Sequence, residues 1–298
     1  MRKIRTYNEV AHETGSRILE QVLEQRGRLE SRLSSIRAIV AVVSGKGGVG
    51  KSAITANLAA ALATRGARVG ALDADLNGPS LGRMLGVAGI ALVDREDGVE
   101  PAAGVAGVRV MSMDLLQEDD APLRWRGPDG DGFVWRGVAE AGVLREFLSD
   151  VAWRDLDYLL VDVPPGTDRI SRLLDLVPQP HQTLLVTTPA EISRFVVAKS
   201  ARMLRDAGVE GVGIVANMTA YMDPAAGTKP LFTADGALAL ARETGLELLA
   251  EVPFDPELGA STDRGRPFVL ERPDSPAAHA LETLADRVER GKGGRLSP

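Results

Sequence analysis

The sequence predicts an α/β fold, doubly wound, with a mostly parallel sheet flanked by helices. Short apolar runs rich in β-branched residues alternate with longer runs rich in Ala and Leu, which is typical of strands alternating with helices. A glycine-rich loop joins the first strong strand candidate to the first strong helix candidate. Several of the apolar runs end in an acid or an amide, at the sheet edge where ligands bind in such folds.

Composition limits the function classes. A chain of 298 residues, 44% hydrophobic and 26% charged, can form one large soluble domain. The net charge of −6 argues against a nucleic-acid binder. No apolar run approaches the ~18 residues of a membrane span, and the basic N-terminus is not followed by the apolar segment of a secretory signal. We therefore expect a cytoplasmic protein that does not bind membranes.

The absence of cysteine restricts metal chemistry. With no cysteine, the chain can form no disulfide, no thiolate zinc site and no cysteine-held iron–sulfur cluster. The three histidines, His12, His181 and His279, are too scattered to predict a metal centre. The sequence thus argues against a resident iron–sulfur cluster.

Residues 1–37 are predicted to form an N-terminal helical arm. They carry eight basic and five acidic side chains, with apolar residues at near-helical spacing. The arm's apolar stripe could pack on the core or on a second subunit, or it could dock another protein; we favour packing. We expect the main α/β domain over residues 38–290 and a frayed tail over 291–298.

The first strand candidate, Ala38–Val43, leads into the glycine loop, and a helix is predicted over Ala53–Ala63. The loop fits the pattern G-x-x-x-x-G-K-[ST], in which glycines let successive backbone N–H groups point at phosphates. The alternative, a glycine-rich turn that matches by chance, does not explain the flanking strand and helix. The predicted nucleotide-binding residues are Gly45, Lys46, Gly47, Gly48, Val49, Gly50, Lys51 and Ser52.

Within this loop, Lys51 brings a positive charge to the β- and γ-phosphates and the Ser52 hydroxyl ligates Mg²⁺. A second lysine, Lys46, stands at the start of the loop. The loop resembles the deviant Walker A loop of the MinD/ParA/Mrp group of P-loop ATPases. That resemblance implies that Lys46 reaches the nucleotide of the other subunit in an ATP-sandwiched homodimer. The alternative is a solvated surface lysine.

Acids follow two further strand candidates. Val69–Asp73 leads to a second acid, Asp75, and Leu156–Asp162 ends in an acid as a Walker B strand does. Asp162 would bind Mg²⁺ through water, and Asp75 would orient the attacking water. The alternatives are turn-forming aspartates after Val69–Asp73 and an acid that merely ends a strand at Asp162.

Further motifs resemble the Mrp branch, whose members are iron–sulfur cluster carriers. They are Gly78-Pro79-Ser80 followed by Arg83-Met84-Leu85-Gly86, and Val163-Pro164-Pro165-Gly166-Thr167. The resemblance also implies that the amide of Asn217 reads the adenine edge, although an asparagine that simply ends a strand is the alternative. The fragment Trp125-Arg126-Gly127 recurs as Trp135-Arg136-Gly137. We expect the second copy to precede a helix over Val138–Leu148, and residues 120–132 to include an insertion.

Two departures from the Mrp pattern stand out. Asp168-Arg169 replaces the usual Gly-Asp pair. In the Mrp branch this pair belongs to the second switch, the segment that senses the γ-phosphate, so the resemblance does not extend to that segment. Asp223 and Ala226 replace the two cysteines of the Cys-Pro-x-Cys-Gly motif that bridges a cluster in relatives. A lone aspartate is a poor iron–sulfur ligand, so we expect a solvent-exposed turn at Asp223.

Together these features predict a MgATP-binding, slowly hydrolysing, homodimeric Mrp-like ATPase. The family role would be iron–sulfur cluster or metallocofactor assembly. The alternative is a nucleotide-timed protein switch without cysteines, which docks a client or positions a cargo without carrying a cluster. A non-hydrolysing nucleotide-binding scaffold is a third, weaker possibility. The sequence does not identify the client.

Overall fold

A computed structural model of the chain describes residues 17–116, 132–177, 180–223, 227–232 and 236–291. The α-helices are α1 (Arg17–Ser34), α2 (Lys51–Thr64), α3 (Leu81–Met84), α4 (Gly132–Ser149), α5 (Thr167–Leu176), α6 (Glu191–Asp206), α7 (Gly236–Thr244), α8 (Pro256–Asp263), α9 (Phe268–Glu271) and α10 (Pro276–Gly291). The strands are β1 (Ile39–Val43), β2 (Val69–Asp73), β3 (Val93–Arg95), β4 (Gly98–Glu100), β5 (Ala102–Ala103), β6 (Arg109–Met111), β7 (Tyr158–Asp162), β8 (Gln182–Thr187), β9 (Val212–Asp223), β10 (Gly227–Pro230) and β11 (Glu247–Phe254).

The main sheet confirms the predicted fold. Its strands run in the order β11-β9-β8-β1-β7-β2-β6-β5, and every neighbouring pair from β11 to β6 is parallel. β5 is antiparallel at one edge, and β10 forms an antiparallel hairpin with the far end of β9. A separate hairpin joins β3 to β4. The carboxyl ends of β1, β7 and β2 lie side by side, which places the glycine loop next to the acids of the other two strands.

Both faces of the sheet are covered, as a doubly wound fold requires. Along β1, Val40 and Val42 join a buried cluster with residues of α2 and α10, whereas Ile39, Ala41 and Val43 join a second cluster with residues of α4, α5 and α6. The side chains of β1 alternate between the two clusters because successive side chains of a strand point to opposite faces of the sheet. Leu29 of α1 belongs to the second cluster. The described part of the arm therefore packs on the core through Leu29, and its division from the main domain stays a prediction.

The structure corrects one helix boundary and one strand end. α4 begins at Gly132, so the second Trp-Arg-Gly copy lies inside the helix rather than before it. β9 does not end at Asn217 but continues to Asp223, which pairs with Gly227. Cross-strand pairing with β10 thus extends the strand to Asp223, where the sequence predicts a turn.

Several predictions fall outside the described residues. These include the N-terminal residues 1–16, the first Trp-Arg-Gly copy and most of the insertion, residues 224–226 and the tail after Gly291. Among the helices that the structure describes, none combines the length and apolar character that a membrane span requires.

Candidate functional site

The glycine loop runs from the end of β1 to the first turn of α2. Gly50 has φ +82°, and a Cβ atom at this position would come within 2.2 Å of the Asn217 Nδ2 atom. Glycine is therefore required here both by the backbone conformation and by the close approach. Among the described residues, none accepts a hydrogen bond from the backbone N–H groups of residues 46–50. These donors, together with the start of α2, form a cradle suited to phosphate.

Three side chains from α2 converge on Asp162 at the end of β7. Lys51 Nζ lies 2.5 Å from Asp162 Oδ1, and the Ser52 hydroxyl donates to Oδ2 at 2.5 Å. The Thr55 hydroxyl donates to Oδ1 at 3.1 Å. Asp162 is fully buried and Lys51 is 7% exposed, so the carboxylate charge is balanced by a lysine inside the protein.

Thr55 is a site residue that the sequence analysis missed. It lies one helical turn after Lys51 and also donates to the Lys51 carbonyl oxygen at 3.0 Å. The i, i+4 spacing from Lys51 places both side chains on the same face of α2, and this spacing could have identified it.

Asp73 is a second buried carboxylate, at the end of β2, in register with Asp162. It accepts hydrogen bonds from the backbone N–H groups of Asp75 at 3.0 Å, Ser80 at 2.9 Å and Leu81 at 2.9 Å. The Ser112 hydroxyl approaches it at 3.3 Å. Burial, followed by the negative charge of Asp162, raises the pKa of Asp73 from 3.8 to about 7, although the three N–H donors oppose the shift. Asp73 thus organises the loop over residues 74–81.

Asp75 lies in this loop and is half-buried. Its Oδ1 atom accepts a hydrogen bond from the Gly78 N–H at 3.2 Å. The backbone N–H of the preceding residue, Ala74, donates to the Asp162 carbonyl oxygen at 3.0 Å, which ties the start of this loop to β7. The loop that carries Asp75 therefore starts directly beside the Asp162 cluster, and the water-orienting role of Asp75 stays a prediction.

Asn217 of β9 lies beneath the glycine loop. It is 5% exposed, and its Nδ2 atom donates to the Val49 carbonyl oxygen at 2.9 Å. This contact fixes the loop from below, because the amide group bonds the residue next to Gly50. Recognition of the adenine edge by Asn217 stays a prediction.

Lys46 stands at the outer end of the glycine loop and is half-buried. Within the ranges that the structure describes, it forms no ion pair with an acidic side chain, in contrast to Lys51. Its predicted reach across a dimer is not addressed by a single chain.

A second charged cluster lies behind the loops that follow β2 and β7. Glu140 of α4 is 5% exposed, and its Oε1 atom accepts a hydrogen bond from Asn77 Nδ2 at 2.8 Å. Its Oε2 atom accepts from Arg172 Nη1 at 2.6 Å and pairs closely with Arg169 Nη1. Arg169 belongs to the Asp168-Arg169 pair that departs from the Mrp pattern, and here it neutralises a buried acid. No sequence motif indicates Glu140, because its partners come from distant segments.

The residues around Asp162 also fit a magnesium ion. The Ser52 hydroxyl and the Asp162 carboxylate supply adjacent oxygen atoms at the foot of the glycine loop. Oxygen is the donor that Mg²⁺ prefers, and Mg²⁺ at phosphate sites is usually held by few protein ligands together with phosphate oxygens. Elsewhere in the described parts of the chain, no group of three or more His, Cys, Asp or Glu side chains is arranged to hold a metal.

The chain combines a glycine loop, a Lys51–Asp162 pair and a mostly parallel sheet. A comparison of its sequence with known protein families agrees with this combination. The model of the NUBPL iron-transfer P-loop NTPase family (ParA) matches residues 35–134 and 128–289. The chain belongs to this family. The predicted resemblance to Mrp-type ATPases is thereby confirmed.

Relatives of the NUBPL family are similar over most of their length. An iron–sulfur cluster carrier protein of Saccharolobus solfataricus is 38% identical over 275 residues, which covers 91% of this chain and 90% of the relative. The cytosolic Fe-S cluster assembly factor NUBP2 of Bos taurus is 40% identical over 263 residues, covering 86% and 93%. This NUBPL-family chain contains no cysteine.

Solved structures support the same fold. A nucleotide-binding protein of Archaeoglobus fulgidus in complex with ADP is 35% identical, with a TM-score of 0.71 over 85% of this chain and 95% of that one. The cell division ATPase MinD of Pyrococcus furiosus is 27% identical, with a TM-score of 0.60 over 85% and 98%. The NUBPL-family chain therefore shares its architecture with nucleotide-binding proteins of the MinD/ParA type.

Proposed function

We propose that this chain is a MgATP-binding ATPase that hydrolyses ATP slowly, acts as a homodimer and serves iron–sulfur cluster or metallocofactor assembly. The observation that carries the nucleotide function is the convergence of Lys51, Ser52 and Thr55 on the buried Asp162 directly beneath the glycine loop. The ADP complex of the similar Archaeoglobus fulgidus protein supports nucleotide binding. The assembly role rests on the names of the relatives, and the cytosolic NUBP2 relative supports a cytoplasmic location.

Each site residue has a defined task in this proposal. The N–H groups of residues 45–52 bind the phosphates, and Lys51 exchanges its partner Asp162 for the β- and γ-phosphates. Ser52 directly and Asp162 through water would hold Mg²⁺, and the bound ion would neutralise charge that develops on the phosphate oxygens. Lys46 reaches the nucleotide of the second subunit.

Asp75 orients a water molecule for attack on the γ-phosphorus. The new P–O bond forms as the bond between that phosphorus and the bridging oxygen to the β-phosphate breaks, which releases ADP and inorganic phosphate. Asn217 is proposed to contact adenine through the amide oxygen, because its Nδ2 atom is already used by Val49.

A second candidate function is favoured by one specific observation, the complete absence of cysteine. A chain without thiolates lacks the ligands that hold iron–sulfur clusters, and Asp223 stands at the strand end that precedes the corresponding loop. In this alternative the protein is a nucleotide-timed switch that docks a client without carrying a cluster itself. The likeness to MinD is consistent with such a switch.

Two measurements test these proposals. Steady-state release of phosphate from MgATP by the purified protein tests hydrolysis, and complete absence of release would contradict the ATPase. Anaerobic reconstitution with iron and sulfide, followed by absorbance and metal analysis, separates the two roles. A stoichiometric cluster supports direct carriage with oxygen, nitrogen or added thiol ligands, and Asp223→Ala should then reduce it. The absence of any cluster favours the switch.

A further inference from the structure

We propose that Glu140 is a positioning residue that links the loop after β2 to the loop and helix after β7, so that the two move together. The inference rests on the proposed ATPase function for its kinetic consequence. Its structural basis is one buried carboxylate with partners from two different segments: Asn77 on one side, Arg169 and Arg172 on the other.

The carboxylate is well suited to this link. Glu140 is 5% exposed, and a buried acid is stable only when its charge is balanced and both oxygens are bonded. Oε1 is used by Asn77, and Oε2 is used by both arginines, which are themselves 25% exposed. Breaking either side would leave part of a buried charge without a partner, so the favourable arrangement keeps all members in place.

The partners of Glu140 on both sides lie close in sequence to the proposed reaction centre. Asn77 follows Asp75 by two positions, within the loop that Asp73 organises. Arg169 and Arg172 lie in the first two turns of α5, directly after Gly166, whose N–H donates to the Ser44 carbonyl oxygen at 3.1 Å at the start of the glycine loop. A displacement on either side of the nucleotide is therefore transmitted to the other side through Glu140.

A small pocket of about 20 Å³, open to solvent, lies between the two loops. It is lined by Glu140 and its charged partners and by apolar side chains. The apolar lining includes Leu76 from the first loop, Val163 and Pro164 from the second, and Leu144 from α4. Leu76, Val163 and Leu144 belong to one buried cluster, so apolar packing also holds the two loops together. The Glu140 bonds add a directional, charged connection between them.

Glu140→Gln tests the link with almost no change in shape. The amide oxygen of the introduced Gln can accept a hydrogen bond from Asn77 or from the arginines. Its NH₂ group then faces a donor on the other side, so one side of the link is lost. We expect kcat for ATP hydrolysis to fall by roughly 10- to 100-fold, since small misplacements of a catalytic group have effects of that order. The Kd for MgATP, measured by calorimetry, should stay within about threefold, because the glycine loop and Lys51 do not contact Glu140.

Two further variants sharpen the kinetic test. Asn77→Ala removes one partner at an exposed position and should lower kcat in the same direction. The double variant that combines Glu140→Gln with Asn77→Ala should be no slower than Glu140→Gln alone, because each substitution removes the same connection. The matched control is Glu247→Gln, which removes an exposed ion pair with Arg287 at 3.0 Å, far from the site, and should leave kcat unchanged.

Hydrogen exchange gives a readout that does not require hydrolysis. In protein without nucleotide, Glu140→Gln should raise amide exchange over both residues 74–81 and residues 167–176, whereas Glu247→Gln should not. Increased exchange in only one segment, unchanged kcat, or an equal loss of kcat and MgATP affinity would overturn the link. If wild-type protein shows no turnover, the ATPase proposal fails, and the exchange result still decides whether Glu140 couples the loops.

Discussion

Asp162 and Asp73 occupy equivalent places and have opposite environments. They end neighbouring strands, pair in register and are both fully buried. Asp162 faces Lys51 and two hydroxyl groups from α2, so its charge is balanced by a cation. Asp73 is bonded to three backbone N–H groups and one hydroxyl of its surroundings, and its pKa is raised to about 7.

The difference shows that the position of an acid at a strand end does not define its task. A carboxylate beside the glycine loop is charged and available to a metal ion. A carboxylate one strand away serves to fold its own loop, which carries Asp75, the residue that we propose orients the attacking water. The following experiments either remove this contrast or measure it.

The largest effect is expected for Lys51→Met, which removes the cation and makes the surroundings of Asp162 resemble those of Asp73. ATP turnover should become undetectable and MgATP affinity should fall by more than about 100-fold, since the lysine contacts the phosphates in this class of site. The free energy of unfolding should fall by about 3 kcal/mol, because breaking a buried ion pair leaves an uncompensated charge. Phosphate release, calorimetry and urea unfolding provide the three measurements.

The control for this variant is Arg287→Met, which breaks the exposed pair with Glu247. Its unfolding free energy should change by less than about 1 kcal/mol, as exposed ion pairs contribute little. Equal stability of Lys51→Met and wild type would show that Lys51 does not stabilise Asp162.

Asp75→Ala tests whether the chemistry lies in the Asp73 loop. Turnover should fall by roughly 10²- to 10⁴-fold, the usual contribution of a group that handles the attacking water, while MgATP affinity stays within about threefold. The lost hydrogen bond to Gly78 is long, at 3.2 Å, so the variant should remain folded. If Asp75→Ala hydrolyses ATP at the wild-type rate, another residue orients the water. If the wild-type protein itself shows no turnover, the result favours a nucleotide-binding scaffold.

Asp73→Asn tests the raised pKa directly. A group whose pKa is higher in the folded state stabilises the fold most at low pH, and that contribution is lost as the pH rises from about 4 to about 7. In unfolding experiments with EDTA, the substitution should therefore lower the free energy of unfolding by about 3 kcal/mol more near pH 5 than near pH 8. A cost that is the same at both pH values would mean that Asp73 is charged throughout this range.

Ser112→Ala should have the smallest effect on the same carboxylate. It removes one long hydrogen bond of 3.3 Å and leaves the three N–H donors in place, so unfolding free energy should fall by about 0.5–1.5 kcal/mol. The matched control is Thr183→Val, since the buried Thr183 hydroxyl finds no hydrogen-bond partner among the described residues. If Thr183→Val lowers the free energy of unfolding as much as Ser112→Ala does, both effects come from packing rather than from the hydrogen bond to Asp73.

Much of the fold and the phosphate-binding part of the site could be predicted from the sequence, because both are encoded locally. Gly45–Ser52 is one contiguous pattern, and Asp162 ends an apolar strand that neighbours the loop in any fold of this class. The alternation of strands and helices predicted the sheet, and the structure confirmed it.

The remaining features depend on the assembled structure. The role of Asp73 depends on where the N–H groups of Ser80 and Leu81 lie after the loop has folded. The Glu140 cluster unites segments separated by tens of residues, with no periodic or motif signal in any of them. The β9–β10 hairpin depends on cross-strand pairing next to a proline, which sequence reasoning interprets as a turn.

The last helix has a consequence for how the protein is synthesised. Leu281, Leu284 and Val288 of α10 belong to the same buried cluster as Val40 and Val42 of β1. The strand that leaves the ribosome early must wait for α10 before that face of the sheet is covered. Until then the nascent chain exposes an apolar surface of the kind that aggregates or recruits chaperones. We therefore expect this face of the sheet to stay uncovered until α10 has been synthesised, and truncation before α10 to yield insoluble protein.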